Sequence, residues 1–259
     1  MVDIFEVISY PLFDELSHKK LEDFPIADTL LSLLKEEKYQ ESFNYIEKSC
    51  EKENGFDLER YYALNSIWGR YLLNNGHPNF LEHMEKVPDF CFAFSSLEEF
   101  TLPTNISILS MGMFYCSEKL NKINLHPNFK NIGPYAFGGC ESLKILKLPD
   151  GMEEIGDFAF EDASIEILFL PKSIKKISAS AKGICQITDV IYDGTYDEYD
   201  EIENSLDWVW YDYNCLIILK DDVLYTNHNM GWHVLKGDLK KKHIEELEKR
   251  LGRKIYENL

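Results

Sequence analysis

Bases are scarce in this 259-residue chain: 27 lysines and arginines face 45 aspartates and glutamates, a formal charge of −18. The basic footprint that replaces phosphate counterions is missing, which argues against direct binding to nucleic acid and against docking on anionic lipid. No stretch approaches the roughly 20 apolar residues of a membrane-spanning helix. The opening MVDIFEVISYPLFDE carries acids where a secretory signal carries bases and an apolar core, so the expected location is the cytoplasm.

Catalytic signatures are equally sparse. There is no G-x-S-x-G, G-x-x-x-x-G-K or H-E-x-x-H, so a nucleophile elbow, a phosphate loop and a helical zinc site have no support. The six cysteines, at 50, 91, 116, 140, 185 and 215, form no C-x-x-C pair. They read as small buried residues of a reducing compartment. His228 and His233 lie five apart around Gly231-Trp232, which suits solvated loop residues better than joint ligands. The acids from Asp197 to Glu203 lack the acid, glycine and distal glutamate order of a calcium loop. No catalytic residue, cofactor or metal is expected. What the chain has is apolar mass, 45% hydrophobic and 14% aromatic, which suits a globular protein and disfavours a wholly disordered one.

One phrase recurs through the middle. Its clearest copies are IGPYAFGGCESLKILKLP, from Ile132, and IGDFAFEDASIEILFLP, from Ile155. Before them lie LSMGMFYCSEKLNKINLHP, from Leu109, and a degenerate VPDFCFAFSSLEEFTLP, from Val87; a fifth, worn copy starts at Ile177 and ends IYDG. Aligned, the copies share an L-x-x-L-x-L triplet whose last members, Leu102, Leu125, Leu148, Leu170 and Tyr192, step by 23, 23, 22 and 22 residues. Phe92, Phe114, Phe137 and Phe160 keep the same period.

A unit of about 22 residues cannot bury its own apolar face and is stable only when stacked on its copies. Each triplet then supplies one strand of a parallel sheet, ended at Pro103, Pro149 and Pro171 because proline cannot donate to the ladder. The pairs Ile106/Leu109, Phe129/Ile132, Met152/Ile155 and Ile174/Ile177 line the opposite wall, with the phenylalanines between.

These residues resemble the BspA-type (treponemal-type) leucine-rich repeat, I-G-x-x-A-F-x-x-C-x-x-L-x-x-I-x-L-P, over about 87–195. IYDGTYDEYDEI, from Ile191, resembles the Y-x-G-T-x-x-E-W terminator that follows such arrays, with Tyr199 in place of tryptophan, so a degenerate terminator is expected to about 225. The resemblance implies an architecture used for protein binding, with no catalytic residues to carry over.

The expected fold is therefore α+β in three segments: a helical bundle over 1–86, a solenoid of about five repeats with a parallel sheet over 87–195, and an acidic β cap with a terminal helix over 196–259. Apolar residues recur at helical spacing from Leu30 to Leu72, and Asn74-Asn75-Gly76-His77-Pro78 stops the last helix of the bundle. CLIILKDDVLY, from Cys215, reads as a hairpin about Lys220-Asp221-Asp222 that covers the end of the sheet. DLKKKHIEELEKR, from Asp238, reads as a surface helix capped by Asp238 and stopped by Gly252. Residues 196–238 hold ten acids against two bases, and 239–259 four acids against seven bases.

Within each triplet two residues face outward: Glu99/Thr101, Lys122/Asn124, Ile145/Lys147, Ile167/Phe169 and Asp189/Ile191. The later rungs place Ile145, Ile167, Phe169 and Ile191 in one apolar stripe, either a partner's docking surface anchored on Phe169 or a seat for the C-terminal segment. The expected function is a non-enzymatic protein-binding repeat protein, an effector or inhibitor inside a cell, with a phage or other mobile element as an expected origin. Its expected partner-binding residues are Ile145, Lys147, Ile167, Phe169, Ile191, Asp197, Glu198, Asp200, Glu201 and Glu203, and its expected partner is a protein, one with a basic surface if the acids take part. One alternative is an acidic mimic of nucleic acid, with Asp207 and Asp212 joining the acids to block a nuclease or another nucleic-acid-binding protein. Another is an enzyme in the N-terminal bundle, whose histidines are His18, His77 and His83.

Overall fold

The computed structural model describes residues 19–53, 55–77, 79–84, 86–185, 187–203, 215–227, 231–252 and 255. Three helices lead: α1 (Ala27–Lys35), α2 (Tyr39–Ser49) and α3 (Leu58–Asn74), with the hairpin strands β1 (Glu51–Lys52) and β2 (Gly55–Phe56) before α3. Leu30 and Leu34, Phe43 and Ile46, and Leu64, Ile67, Trp68 and Leu72 are buried, one apolar stripe per helix. Asp57 caps α3 by accepting from the Arg60 N–H at 3.2 Å, and the helix ends at Asn74, where the sequence stops it.

Beyond Phe80 the chain coils. The triplet strands β3 (Glu99–Thr101), β5 (Lys122–Asn124), β7 (Ile145–Lys147), β9 (Ile167–Leu170) and β11 (Asp189–Tyr192) alternate along the chain with β4 (Ile108–Leu109), β6 (Asn131–Ile132), β8 (Glu154–Ile155) and β10 (Lys176–Ile177). All pair in parallel, and each apolar position meets its counterpart one turn on: Phe100 with Ile123, Leu146 with Leu168, Leu168 with Val190, and Leu109, Ile132, Ile155 and Ile177 in file. In one respect the stack differs from a continuous sheet. β3 and β5 pair alone, whereas β7 starts a six-stranded sheet in the order β7-β9-β11-β12-β13-β14.

A third wall comes from the I-G-x-x-A-F segments, which are turns bonded rung to rung. The N–H groups of Gly112, Phe114 and Cys116 donate to the carbonyls of Pro134, Ala136 and Gly138, and those of Tyr135, Phe137 and Gly139 donate to Asp157, Ala159 and Glu161. This alternation needs two left-handed residues per turn, filled by Phe90, Gly112, Tyr135 and Phe158 in one file and Phe94, Cys116, Gly139 and Asp162 in the other. A left-handed non-glycine residue costs roughly 1–2 kcal/mol, which the inter-rung bonds offset.

Phe92, Phe114, Phe137 and Phe160 stack through the interior, with centroids 5.8 Å apart and planes 9° apart for Phe114 and Phe137. Phe80 and Trp68 extend this column into the helices. A second column, absent from the sequence reading, runs Tyr62, Phe90, Tyr115, Tyr135 and Phe158. The core accordingly does not stop at residue 86: one buried cluster runs from Leu21 to Leu224. α3 seals the first turn directly, since the Ser66 hydroxyl donates to the Ala93 carbonyl at 2.8 Å and Asn65 Nδ2 to the Asp89 carbonyl at 3.2 Å.

At the other end, Thr195 and Glu198 form a capping box for the short helix α4 (Tyr196–Asp200), and Tyr199 is fully buried against Tyr192 in the terminator position. The expected hairpin is present as β12 (Leu216–Ile218), parallel to β11, and β13 (Val223–Asn227); β14 (Gly231–Val234) pairs antiparallel with β13 and was not foreseen. Helix α5 (Gly237–Leu251) closes the chain. Its N-cap is Lys236 rather than Asp238, and Gly252, at φ 67°, supplies the expected left-handed stop.

Candidate interaction surface

The outward face of the triplet sheet divides into an open part and a closed part. On β3, β5 and β7 the side chains of Glu99, Thr101, Lys122, Asn124, Ile145 and Lys147 are exposed. They form regular rows: Lys122 Nζ lies 3.0 Å from Glu99 Oε2, and Asn124 Nδ2 donates to Thr101 Oγ1 at 3.0 Å. Ile145 continues the Glu99/Lys122 row at 47% exposure, a large apolar side chain in water beside the Lys147 ammonium.

On the next two rungs the stripe is a seat for the C-terminal segment, the second of the two readings the sequence allowed. Ile167, Phe169 and Ile191 are buried at 2%, 7% and 0% exposure, so these three side chains are not free to anchor a partner in this arrangement. Their cover is α5 with the residue beyond it: Leu247 and Ile255, flanked by Ile244 and Leu251, pack on Ile167, Phe169, Ile191, Ile218 and Val223. The physical reason is that these strands carry apolar residues on both faces, and a second face as apolar as the first needs its own lid.

Polar contacts fix the lid. Asp189 points outward among these residues at 1% exposure; its Oδ1 accepts from His243 Nε2 at 2.8 Å and its Oδ2 from Thr188 Oγ1 at 2.8 Å. Arg250 reaches the same Oδ2 at 3.4 Å and donates to Glu166 Oε2 at 2.8 Å. A buried carboxylate needs such partners, because unpaired burial of a charge is prohibitive. The sequence reading missed Glu166, Asp189, His243 and Arg250 as a unit, because two lie on rungs and two on a helix more than fifty residues away.

The acidic set is only partly available. Glu198 serves the capping box and pairs with Lys172 at 2.7 Å, which holds its carboxyl below the usual glutamate range, and Glu203 pairs with Lys176 at 3.1 Å. Asp197, Asp200 and Glu201 are exposed. Asp207 and Asp212 lie outside the described residues, as do His18 and His228. Along the opposite wall, Glu153 sits between Lys175 at 2.8 Å and Lys130 at 3.0 Å, whose hydrogen bonds and charge lower its pKa.

Among the described residues, no group of three histidine, cysteine or acidic side chains is placed to hold a metal ion. Burial raises the Cys91 and Cys140 thiols and pushes Cys116 up to about 11, so these sulfurs are protonated at neutral pH and poor nucleophiles. His77 Nδ1 bonds the Tyr39 hydroxyl at 2.9 Å, and Tyr39 also stacks on His83, a packing arrangement in the bundle.

Residues 72–188 match the family described as BspA type leucine rich repeat region, in six copies, and are such a region. The matched span starts upstream of Val87 and takes in Phe80 at the head of the interior column. No curated protein matches the chain. The crystal structure of a leucine rich cell surface protein from Faecalibacterium prausnitzii is 22% identical over 42% of this chain, with a TM-score of 0.37. The chain covers 35% of that protein's length.

Proposed function

We propose that this BspA-type leucine-rich-repeat protein is a non-enzymatic binding protein that docks a partner protein on the open rungs β3, β5 and β7. The observation that carries this reading is the geometry of those rungs: the paired strands β3 and β5 set Glu99 beside Lys122 and Thr101 beside Asn124, and β7, one turn on in the neighbouring sheet, presents Ile145 and Lys147 at the equivalent positions, all six side chains exposed. Side chains held on stacked strands lose little freedom on binding, which favours recognition of a folded surface. Ile145 is the apolar centre, and the charged and amide groups around it form the rim.

The action we propose is that of an effector or inhibitor in the cytoplasm; free thiols at all six cysteines, five of them buried, support a reducing compartment. Acidic mimicry is the weaker reading, since Glu198 and Glu203 are spent on Lys172 and Lys176. A photo-crosslinking side chain placed at Asn124, Lys147 or Asp200 in the full chain, expressed in its own cell, separates the two. Docking on the rungs yields one crosslinked protein from positions 124 and 147, lost on Ile145→Asp. Mimicry yields it from position 200 instead, with a salt-sensitive loss when Asp197, Asp200 and Glu201 become lysine.

A further inference from the structure

The lid over the later rungs is built differently from the rest of the molecule. The interior is one cluster from the first helix to β13, whereas Ile167, Phe169, Ile191, Ile218 and Val223 belong to a second, smaller cluster on the other side of the same sheet. α5 therefore adds nothing to the solenoid interior. It closes a face that the stacked rungs have already formed.

The seat is also incompletely filled. Leu247 and Ile255 are deeply buried, but Leu239 in the first turn of α5 is 67% exposed, beside a cleft of about 380 Å³ lined by Leu216, Tyr225, Leu235 and His243. On the other flank the register places exposed Ile145 directly beside buried Ile167, so the apolar face extends one rung past the helix that covers it. Charge matches the same division. Residues 239–259 carry seven bases and four acids in a chain that is otherwise strongly acidic, and His243 and Arg250 meet Asp189 and Glu166 on the sheet.

We propose that α5 is the resident occupant of a helix-docking groove, and that a partner's amphipathic helix of the same kind exchanges for it. Such a helix presents apolar residues at the spacing of Ile244, Leu247 and Leu251, with a basic edge aimed at Asp189 and Glu166. It gains, over α5, the burial of Ile145 and the filling of the cleft beside Leu239. The sequence of events is a population shift: α5 lifts, the groove opens, and the partner helix takes the place of the resident one. This goes beyond the docking function above, because the groove lies on the rungs that α5 covers and borders the open rungs only at Ile145.

The test uses the full chain. Leu247→Asp places a carboxylate in the second cluster and undocks α5 without touching the interior. A labelled peptide of residues 237–259 is then titrated against the variant and against the unsubstituted chain. Exchange predicts one-to-one binding to Leu247→Asp, weaker by at least about tenfold in the unsubstituted chain because its groove is open for less than about a tenth of the time. It also predicts no binding when the peptide carries Asp at position 247. A Leu247→Asp chain that keeps its rung amides protected yet ignores the peptide overturns the proposal. Hydrogen exchange on the unsubstituted chain guards against a variant that fails to fold. Amides of α5 must open at lower denaturant dependence than those of β7 and β9, and exchange of both only in global unfolding also overturns it. A dimer of the unsubstituted chain that Leu247→Asp abolishes would seat a second copy's α5 and remove the foreign helix. Peptide binding without crosslinks at positions 124 and 147 discards the open-rung reading alone.

Discussion

Gly69→Ala should destabilise this protein, although the same change inside a helix ordinarily stabilises by about 1 kcal/mol. Gly69 lies in α3 against the first turn of the repeat, and a Cβ built there would stand 1.8 Å from the Cys91 carbonyl oxygen and 2.8 Å from its carbon. Carbon and oxygen pack no closer than roughly 3.3 Å, so α3 would have to retreat by roughly 1.5 Å from backbone that cannot give way. That retreat breaks the Ser66 hydroxyl bond to Ala93 O and the Asn65 bond to Asp89 O, both within the seam. Each buried group left without its partner costs about 1–3 kcal/mol, so the net loss should be about 2–4 kcal/mol after the helical gain. At about 2–4 °C per kcal/mol for a chain of this size, the melting midpoint should fall by roughly 5–15 °C. Urea unfolding followed by far-ultraviolet dichroism measures the free-energy loss, and a thermal scan with the same signal measures the midpoint. A neutral or stabilised variant would mean that α3 does not press on the first turn and that the helices are a separate body.

Phe137→Ala, which empties the centre of the interior column, should cost about 3–5 kcal/mol in urea unfolding, whereas Lys147→Ala should be nearly silent; equal losses would contradict the facing assigned to the rungs. Asp162→Gly relieves an exposed left-handed residue at φ 54° and should raise stability by up to about 1 kcal/mol, read as a shift of the urea midpoint at constant slope. The Glu198 carboxyl is held down by Lys172 and by the Thr195 N–H, so its contribution is present above the unfolded glutamate value and is lost as pH falls through the lower folded value. Glu198→Gln should therefore flatten the stability profile below about pH 4.3 and leave a uniform deficit above it, measured by melting across pH.

The solenoid was legible because its signal is repeated. Leu146, Leu168 and Val190 keep their period, and so does the phenylalanine file, and strands stacked by that period follow without further information. The open and closed parts of the outer face were legible too, in a signal left unused. β7 reads ILK, alternating apolar and charged, but β9 reads ILFL and β11 reads DVIY, nearly unbroken apolar runs that belong to strands covered on both sides. Asp189 at the head of such a run announces a buried partner, yet nothing local says that His243 and Arg250 supply it, because only the path of the chain through β12, β13 and β14 brings α5 back over the sheet. The second aromatic column was hidden for a different reason. Phe90, Tyr135 and Phe158 share one place in the repeat, but Gly112 interrupts that file and Tyr115, three residues further on, fills the gap, so the register alone does not display an unbroken column.

Hydroxyl-radical footprinting of the full chain, read side chain by side chain, tests the division of the outer face most directly. Ile145 should be oxidised readily, with Phe137, Phe169 and Ile191 protected to a similar degree under native conditions. Modification of Phe169 and Ile191 at the rate of Ile145 would contradict a sheet that is open on its first three rungs and closed by its own helix on the rest.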